Sequence, residues 1–303
     1  MPDVCHTAYR GRFAPTPSGP LHFGSLVAAA GSYLEAKSHN GQWRVRIDDL
    51  DPPRVVPGAT ASILRCLEAL GFEWDGPVLY QSKRLLAYHA ALHRLWLAGV
   101  VYPCACSRKQ IADSAIPGVE GSVYPGTCRN APPPGRPARA LRLSVQGARV
   151  AFDDLLLGQQ RRNLEREAGD FVLYRADGVY SFHLASAVDD GEQGVTDIVR
   201  GADLLESSAC QIQLLRLLAL PVPRYVHLPV AVDQRGEKLS KQTKAAPVDA
   251  TRPLVILRAV LRFLNQAPPD DLDGATVPEF WRYAINRWDL QRVGARLRAC
   301  APD

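Results

Sequence analysis

The sequence predicts an α/β protein built on a parallel sheet, interrupted by an inserted subdomain and closed by a short helical region. Two observations carry this. Strand-like and helix-like segments alternate over roughly the first hundred residues and again after about residue 180, and between them lies a Pro/Gly-rich stretch with clustered cysteines. Such alternation implies βαβ units and therefore parallel strands.

Residues 9–14 read as a strand stopped by Pro15 and Pro17, and residues 25–38 as a helix ended at Asn40 and Gly41. Residues 43–47 alternate as a strand. Residues 57–70 return to helical spacing with Gly71 as C-cap, and residues 84–98 form a helix closed by Gly99. Residues 104–139 are too long and too rich in Pro, Gly and polar residues for an ordinary loop. Strands at 140–145 and 149–152 and a polar stretch through Arg166 complete the insert. The rhythm then resumes with a helix at 181–188, a strand at 195–200, a helix at 204–218 and a strand at 226–232. A polar turn at 233–237 delivers Lys238, and helices at 253–266 and 278–288 follow. The expected division is 1–103 and 181–245 for the two halves of the sheet domain, 104–180 for the insert, and 246–303 for the helical end.

A chain of 303 residues with 47% hydrophobic and 22% charged residues can bury a full core. No apolar run is long enough to span a bilayer, and the start is too polar for a secretory signal, so a cytoplasmic, membrane-free protein is expected. The formal charge of +5 favours a polyanionic partner only weakly. Nothing demands a dimer, and a monomer is expected. Of the seven cysteines, Cys104, Cys106 and Cys128 cluster, which points to a metal site before disulfides. Cys5, Cys66, Cys210 and Cys300 read as incidental thiols. Three thiolates and one further donor suit a tetrahedral, structural Zn2+.

The segment from Pro15 to Ser25 joins a strand to a helix through stiff prolines and contains His22 and Gly24. Amides at a helix start attract anions, and Gly24 lets a phosphate approach. His22 can donate to a phosphate oxygen as charge develops. Alone, this segment is equally well a turn with an incidental histidine. Lys238, Ser240 and Lys241 lie on a turn after a late strand, where two lysines can neutralise a pyrophosphate leaving group. Alone, they are more simply a solvated basic loop.

Together and in this order, the two segments resemble the paired ATP-clamping elements of class I aminoacyl-tRNA synthetases. Arg12-Phe13-Ala14-Pro15-Thr16-Pro17-Ser18-Gly19 is similar to the start of the glutamyl branch. So are Arg46-Ile47-Asp48-Asp49-Leu50-Asp51 with Arg54, and the segment from Val188-Asp189-Asp190 to Asp203. The similarity runs from about residue 10 to about residue 245. Within the branch, Lys238-Leu239-Ser240-Lys241-Gln242 and an end about sixty residues later resemble the truncated paralogues, the glutamyl-Q tRNA(Asp) synthetases.

The resemblance implies a Rossmann-like catalytic domain that activates L-glutamate with ATP and its Mg2+ and transfers it to queuosine at the wobble position of tRNA(Asp). It implies an ATP site at His22, Gly24, Ser25 and Lys241, with Lys238 and Ser240 in support. It places glutamate at Arg12, Ala14, Thr16, Asp48, Phe182 and Arg200, and zinc on Cys104, Cys106, Tyr124 and Cys128. Two arginines and an acid suit a ligand with two carboxylates and an ammonium, and which arginine takes which carboxylate stays open. The chain departs from the pattern at Asp48, where Glu is usual, and at Phe182, where Tyr is usual. A lost hydroxyl costs about 0.5–1.5 kcal/mol, or about 1.5–3 beside a charge. Tyr180 is a candidate replacement. A shortened glutamyl-tRNA synthetase is the nearer alternative reading, disfavoured because no anticodon-binding region follows. A non-catalytic, zinc-stabilised RNA-binding module is the other, disfavoured by the intact motifs. The C-terminal arginines and the pair Arg161–Arg162 are candidates for RNA contact.

Overall fold

The computed structural model describes residues 8–107, 109–111, 116–118, 121–133, 135–239, 246–266, 268 and 274–301. Strand β1 (Arg10–Phe13) leads to helix α1 (Phe23–Ser38), β2 (Gln42–Ile47), α2 (Ala59–Ala69), β3 (Leu79–Tyr80) and α3 (Leu85–Leu97). The middle of the chain supplies β4 (Val101–Cys104), β5 (Ile116–Gly118), β6 (Gly121–Val123), β7 (Ala140–Leu143), β8 (Arg149–Asp154), β9 (Gly158–Asn163), α4 (Leu164–Glu167) and β10 (Val172–Tyr174). Then come α5 (Phe182–Glu192), β11 (Asp197–Gly201), α6 (Leu205–Leu217), β12 (Arg224–Leu228), β13 (Val230–Val232), α7 (Pro253–Phe263), α8 (Val277–Arg287), α9 (Leu290–Val293) and β14 (Arg298–Cys300).

The expected parallel sheet is present. β1 pairs with β2 and β2 with β3, all parallel, and β11 pairs in parallel with β12. The two groups meet where the Thr196 N–H donates to the Arg10 carbonyl at 3.0 Å. The chain thus runs outward from β1 on one side and resumes on the other, and ligands bind at such a switch, beyond the carboxyl ends of the strands. β8 also joins β12 in parallel and carries β9 antiparallel, so part of the middle segment shares this sheet. Strands β4, β7 and β10 form a separate antiparallel sheet.

Helix α1 packs across the sheet with Leu26 to Ala36 almost entirely buried. Its Gly31 faces β12 so closely that a β-carbon would overlap Leu228 Cδ1. Gly31→Ala is therefore expected to cost about 1–3 kcal/mol in urea unfolding, the usual penalty of overpacking. An unchanged midpoint would show that Leu228 yields.

Where sequence and structure differ, a local cause is visible. The strand expected at 226–232 is two strands, because Pro229 has no N–H to donate to a ladder. Helix α8 begins one residue early, on a Thr276–Glu279 capping box. The polar stretch before Arg166 contains β9, whose sequence GQQRRN leaves no hydrophobic alternation to read. No described helix is long and apolar enough to cross a membrane.

Candidate active site

A cleft of about 690 Å3 opens at the carboxyl ends of the central strands. Arg12, Ala14 and Thr16 enter it from the end of β1, and Asp48 from the end of β2. Arg200 arrives from β11 and Phe182 from the first residue of α5. His22, Gly24 and Ser25 line it at the start of α1, together with Lys238. Ser240 and Lys241 lie outside the described residues.

The two phosphate-type segments are physically joined. His22 is the N-cap of α1, its Nδ1 accepting the Ser25 N–H at 3.2 Å. That leaves the ring proton on Nε2, 3.0 Å from Ser25 Oγ. The turn before Lys238 folds back on β13, with the Leu239 N–H donating to the Ala231 carbonyl at 2.9 Å. The chain beyond it bridges Pro247 to His22, and the Val248 N–H donates to the Leu21 carbonyl at 2.9 Å. A β-carbon on Gly24 would lie 3.3 Å from the His22 ring, a tight approach, and 3.5 Å from the Leu239 carbonyl oxygen, an ordinary contact. The Lys238 ammonium rests 2.5 Å from Asp203.

At the other end lies a buried charge network. Arg12 donates through Nε and Nη2 to Asp190 at 3.1 and 3.3 Å. Arg46 bridges Asp48 and Asp190, each at 2.7 Å. Burial would raise the Asp190 carboxyl, but Arg12 and Arg46 outweigh it and hold it at about 2. Asp48 goes the other way. Burial pushes it up to about 6 against the pull of Arg46, with Asp189 and Asp190 adding repulsion.

Arg200 has no acidic partner within ion-pair distance among the described residues. Its Nη2 donates to Ser208 Oγ at 2.8 Å, while its buried Nε has no hydrogen-bond partner among the described residues. Burial lowers the guanidinium to about 10, with Arg12 adding repulsion. The buried Ser186 hydroxyl at the cleft likewise has no hydrogen-bond partner among the described residues. Neither arginine is a surface residue, at 4% exposure for Arg12 and 5% for Arg200. Buried polar groups without protein partners are suited to a polar ligand.

Some expected roles change. Tyr180 is not among the residues lining the cleft, its hydroxyl lying 3.4 Å from His89 Nδ1 and its ring against Tyr88 and Tyr174. Phe182 remains at the cleft, 39% exposed. Arg162 is not an exposed cation, because Glu206 holds it at 2.7 and 2.8 Å. Arg46 and Asp190 drew no functional role from sequence. A charge between Val45 and Ile47 in a buried strand was the available signal, since it demands a buried counter-ion.

The clustered cysteines come together away from this cleft, their ligand atoms all within 4.8 Å of one another. Tetrahedral zinc separates two thiolates by about 3.8 Å and a thiolate from an oxygen by about 3.5 Å. The Cys106 and Cys128 sulfurs are 3.5 Å apart, and Tyr124 Oη is 3.5 Å from the Cys104 and Cys106 sulfurs. The donor set therefore fits one tetrahedral ion.

Residues 8–253 match the family described as tRNA synthetases class I (E and Q), catalytic domain. A glutamyl-Q tRNA(Asp) synthetase of Aromatoleum aromaticum is 55% identical over 302 residues, covering 100% of this chain and 96% of the relative. One from Dechloromonas aromatica is 53% identical over 290 residues, covering 95% and 96%. In fold, the chain is similar to the glutamate-tRNA synthetase of Elizabethkingia anophelis, with a TM-score of 0.80 at 24% identity over 97% of this chain and 68% of that one. The chain belongs to the class I tRNA synthetase family of the glutamyl and glutaminyl type, alongside relatives named glutamyl-Q tRNA(Asp) synthetases.

Proposed function

We propose that the protein activates L-glutamate with ATP and transfers the glutamyl group to the queuosine base at the wobble position of tRNA(Asp). The observation that carries this is Arg200, a buried guanidinium without an acidic partner among the described residues, in the same cleft as His22, Gly24 and Lys238. Such a group is matched to a substrate carboxylate. The choice of tRNA rests on the names of the relatives.

In the first step an oxygen of the α-carboxylate attacks the α-phosphorus of ATP. The new O–P bond replaces the bond to pyrophosphate, giving glutamyl-adenylate. In the second, a nucleophile of queuosine attacks the acyl carbon and AMP leaves. Neither step needs much from the protein beyond alignment and charge. Helix α1 presents its N-terminal amides to phosphate, His22 donates from Nε2, and Lys241 with Lys238 meets the leaving pyrophosphate. Mg2+ bound with ATP would add charge neutralisation at the phosphates, and the protein would need no dedicated acidic cage for it. Arg200 meets one glutamate carboxylate and Asp48 the ammonium, with Arg12 held in line by Asp190. Cys104, Cys106, Tyr124 and Cys128 would hold a structural zinc in the segment 104–180, away from the chemistry. The enzyme is proposed to act as a monomer.

An ATP–pyrophosphate exchange screen over the amino acids tests the first step. Labelling of tRNA(Asp) with and without queuosine, beside tRNA(Glu), tests the second. Exchange with glutamate and label only on queuosine-containing tRNA(Asp) is expected. Label at the 3′ end of tRNA(Glu) would replace the tRNA assignment, and no exchange with any amino acid would end the reading. The raised Asp48 carboxyl adds a pH signature. It is ionised above about pH 6 and neutral below, so kcat/KM for glutamate should begin to fall near pH 6 and approach about tenfold per unit below it. In Asp48→Asn that inflection should vanish.

A further inference from the structure

Arg200 is held from behind by a chain of three buried side chains drawn from neighbouring elements. Its Nη2 lies 2.8 Å from Ser208 Oγ on α6, and that oxygen lies 2.8 Å from Nε2 of His227 on β12. His227 is the register partner of Arg200 across the parallel pair. Its Nδ1 lies 2.7 Å from Asp154 Oδ2 at the end of β8. The other Asp154 oxygen accepts the Leu156 and Leu157 amides at 3.0 and 2.8 Å.

These contacts fix the tautomer of the imidazole. Asp154, with both oxygens accepting, requires the proton on His227 Nδ1, which leaves Nε2 as an acceptor. The Ser208 proton has two acceptors within reach, Nε2 at 2.8 Å and the Leu204 carbonyl at 3.1 Å, and the nearer imidazole nitrogen takes it while a hydroxyl lone pair faces the Arg200 N–H. The same order of serine, histidine and carboxylate occurs in acyl-transfer enzymes. Here Ser208 and His227 are 0% exposed and Asp154 is 3% exposed, so no acyl group reaches the hydroxyl.

We propose that Asp154, His227 and Ser208 are positioning residues that aim Arg200 at the substrate carboxylate, an inference resting on Arg200 as the carboxylate-binding group. An acid at Ser208 would hold the guanidinium as firmly but would cancel the charge the substrate needs. A neutral hydroxyl fixes the arginine and leaves its charge for the ligand. The carboxylate that orders the relay sits two side chains further back. Through-chain polarisation strengthens each bond without neutralising the arginine.

The test is ATP–pyrophosphate exchange with Ser208→Ala, Ser208→Thr and Arg200→Ala, measuring KM for glutamate and for ATP separately, with thermal unfolding of each variant. Ser208→Ala should raise the glutamate KM roughly 10- to 100-fold, the scale of a hydrogen bond to a charged group, and leave the ATP KM unchanged. Ser208→Thr, which keeps the hydroxyl, should recover most of the loss. Asp154→Asn, which disturbs the His227 tautomer, should act in the same direction as Ser208→Ala. If Arg200→Ala raises the glutamate KM and a folded Ser208→Ala does not, the positioning role is wrong while the role of Arg200 stands. If Arg200→Ala leaves the glutamate KM unchanged, the reading of Arg200 falls, and the relay with it.

Discussion

Asp190→Asn is expected to lower folding stability by about 3–5 kcal/mol, the usual cost of removing one partner from a buried ion pair. Asp190 is 1% exposed and accepts from both Arg12 and Arg46. An asparagine keeps one acceptor oxygen but turns an N–H toward a guanidinium and leaves two buried cations short of counter-charge. Because the native carboxyl is held at about 2 against an ordinary 3.8, its stabilisation is complete above 3.8 and disappears as pH falls through 2. The gap between wild type and variant in urea unfolding should therefore be widest near neutral pH and shrink between pH 4 and 2. A loss under about 1 kcal/mol at pH 7 would mean that the arginines find other partners.

Cys128→Ser should have the second large effect, on metal content. The protein as purified is expected to carry one zinc per chain by elemental analysis, and the variant little or none. Structural zinc contributes about 10–16 kcal/mol of apparent binding energy in small metal-folded peptides, so local order should depend on it. Hydrogen exchange around Tyr102, Cys104 and Tyr124, now packed with Cys128 in a small cluster of their own, should speed up in the variant while α1 stays protected. Burial and the neighbouring thiols push the Tyr124 phenol above its ordinary range, so only a cation at its oxygen would draw out the phenolate. Tyr124→Phe should then weaken zinc binding by at least about tenfold, as even outer-shell partners do. Full zinc affinity in that variant would assign the fourth position to another donor.

Much of this was legible in the sequence, for reasons that differ by element. The edges of α1 follow from small apolar residues between a proline-stiffened turn and Asn40, all local signals. The strand β9 carries only polar side chains, and it exists because β8 lies beside it. No window of sequence contains that pairing partner's influence. At the site, Arg12, Asp48 and Arg200 were found through motif resemblance, and their placement in one cleft needed the fold. The Arg12–Asp190 contact joins residues 178 apart in sequence, and the Arg46–Asp190 contact residues 144 apart. Short-range pattern reading has no access to such pairs. Ser208 and His227 were invisible for the same reason, each ordinary in its own segment.

The bond between Thr196 and Arg10 has a bearing on synthesis as well as on architecture. β1 can pair with β2 as soon as both have left the ribosome, but its other neighbour, β11, is made nearly two hundred residues later. The Pro247 bridge to His22 comes later still. Contacts this distant close slowly and late. A nascent or truncated chain ending before β11 would thus expose one edge of β1 and the sheet-facing side of α1, surfaces prone to mispairing. Translational pausing or a premature stop in this protein should yield aggregation, with no partially active enzyme.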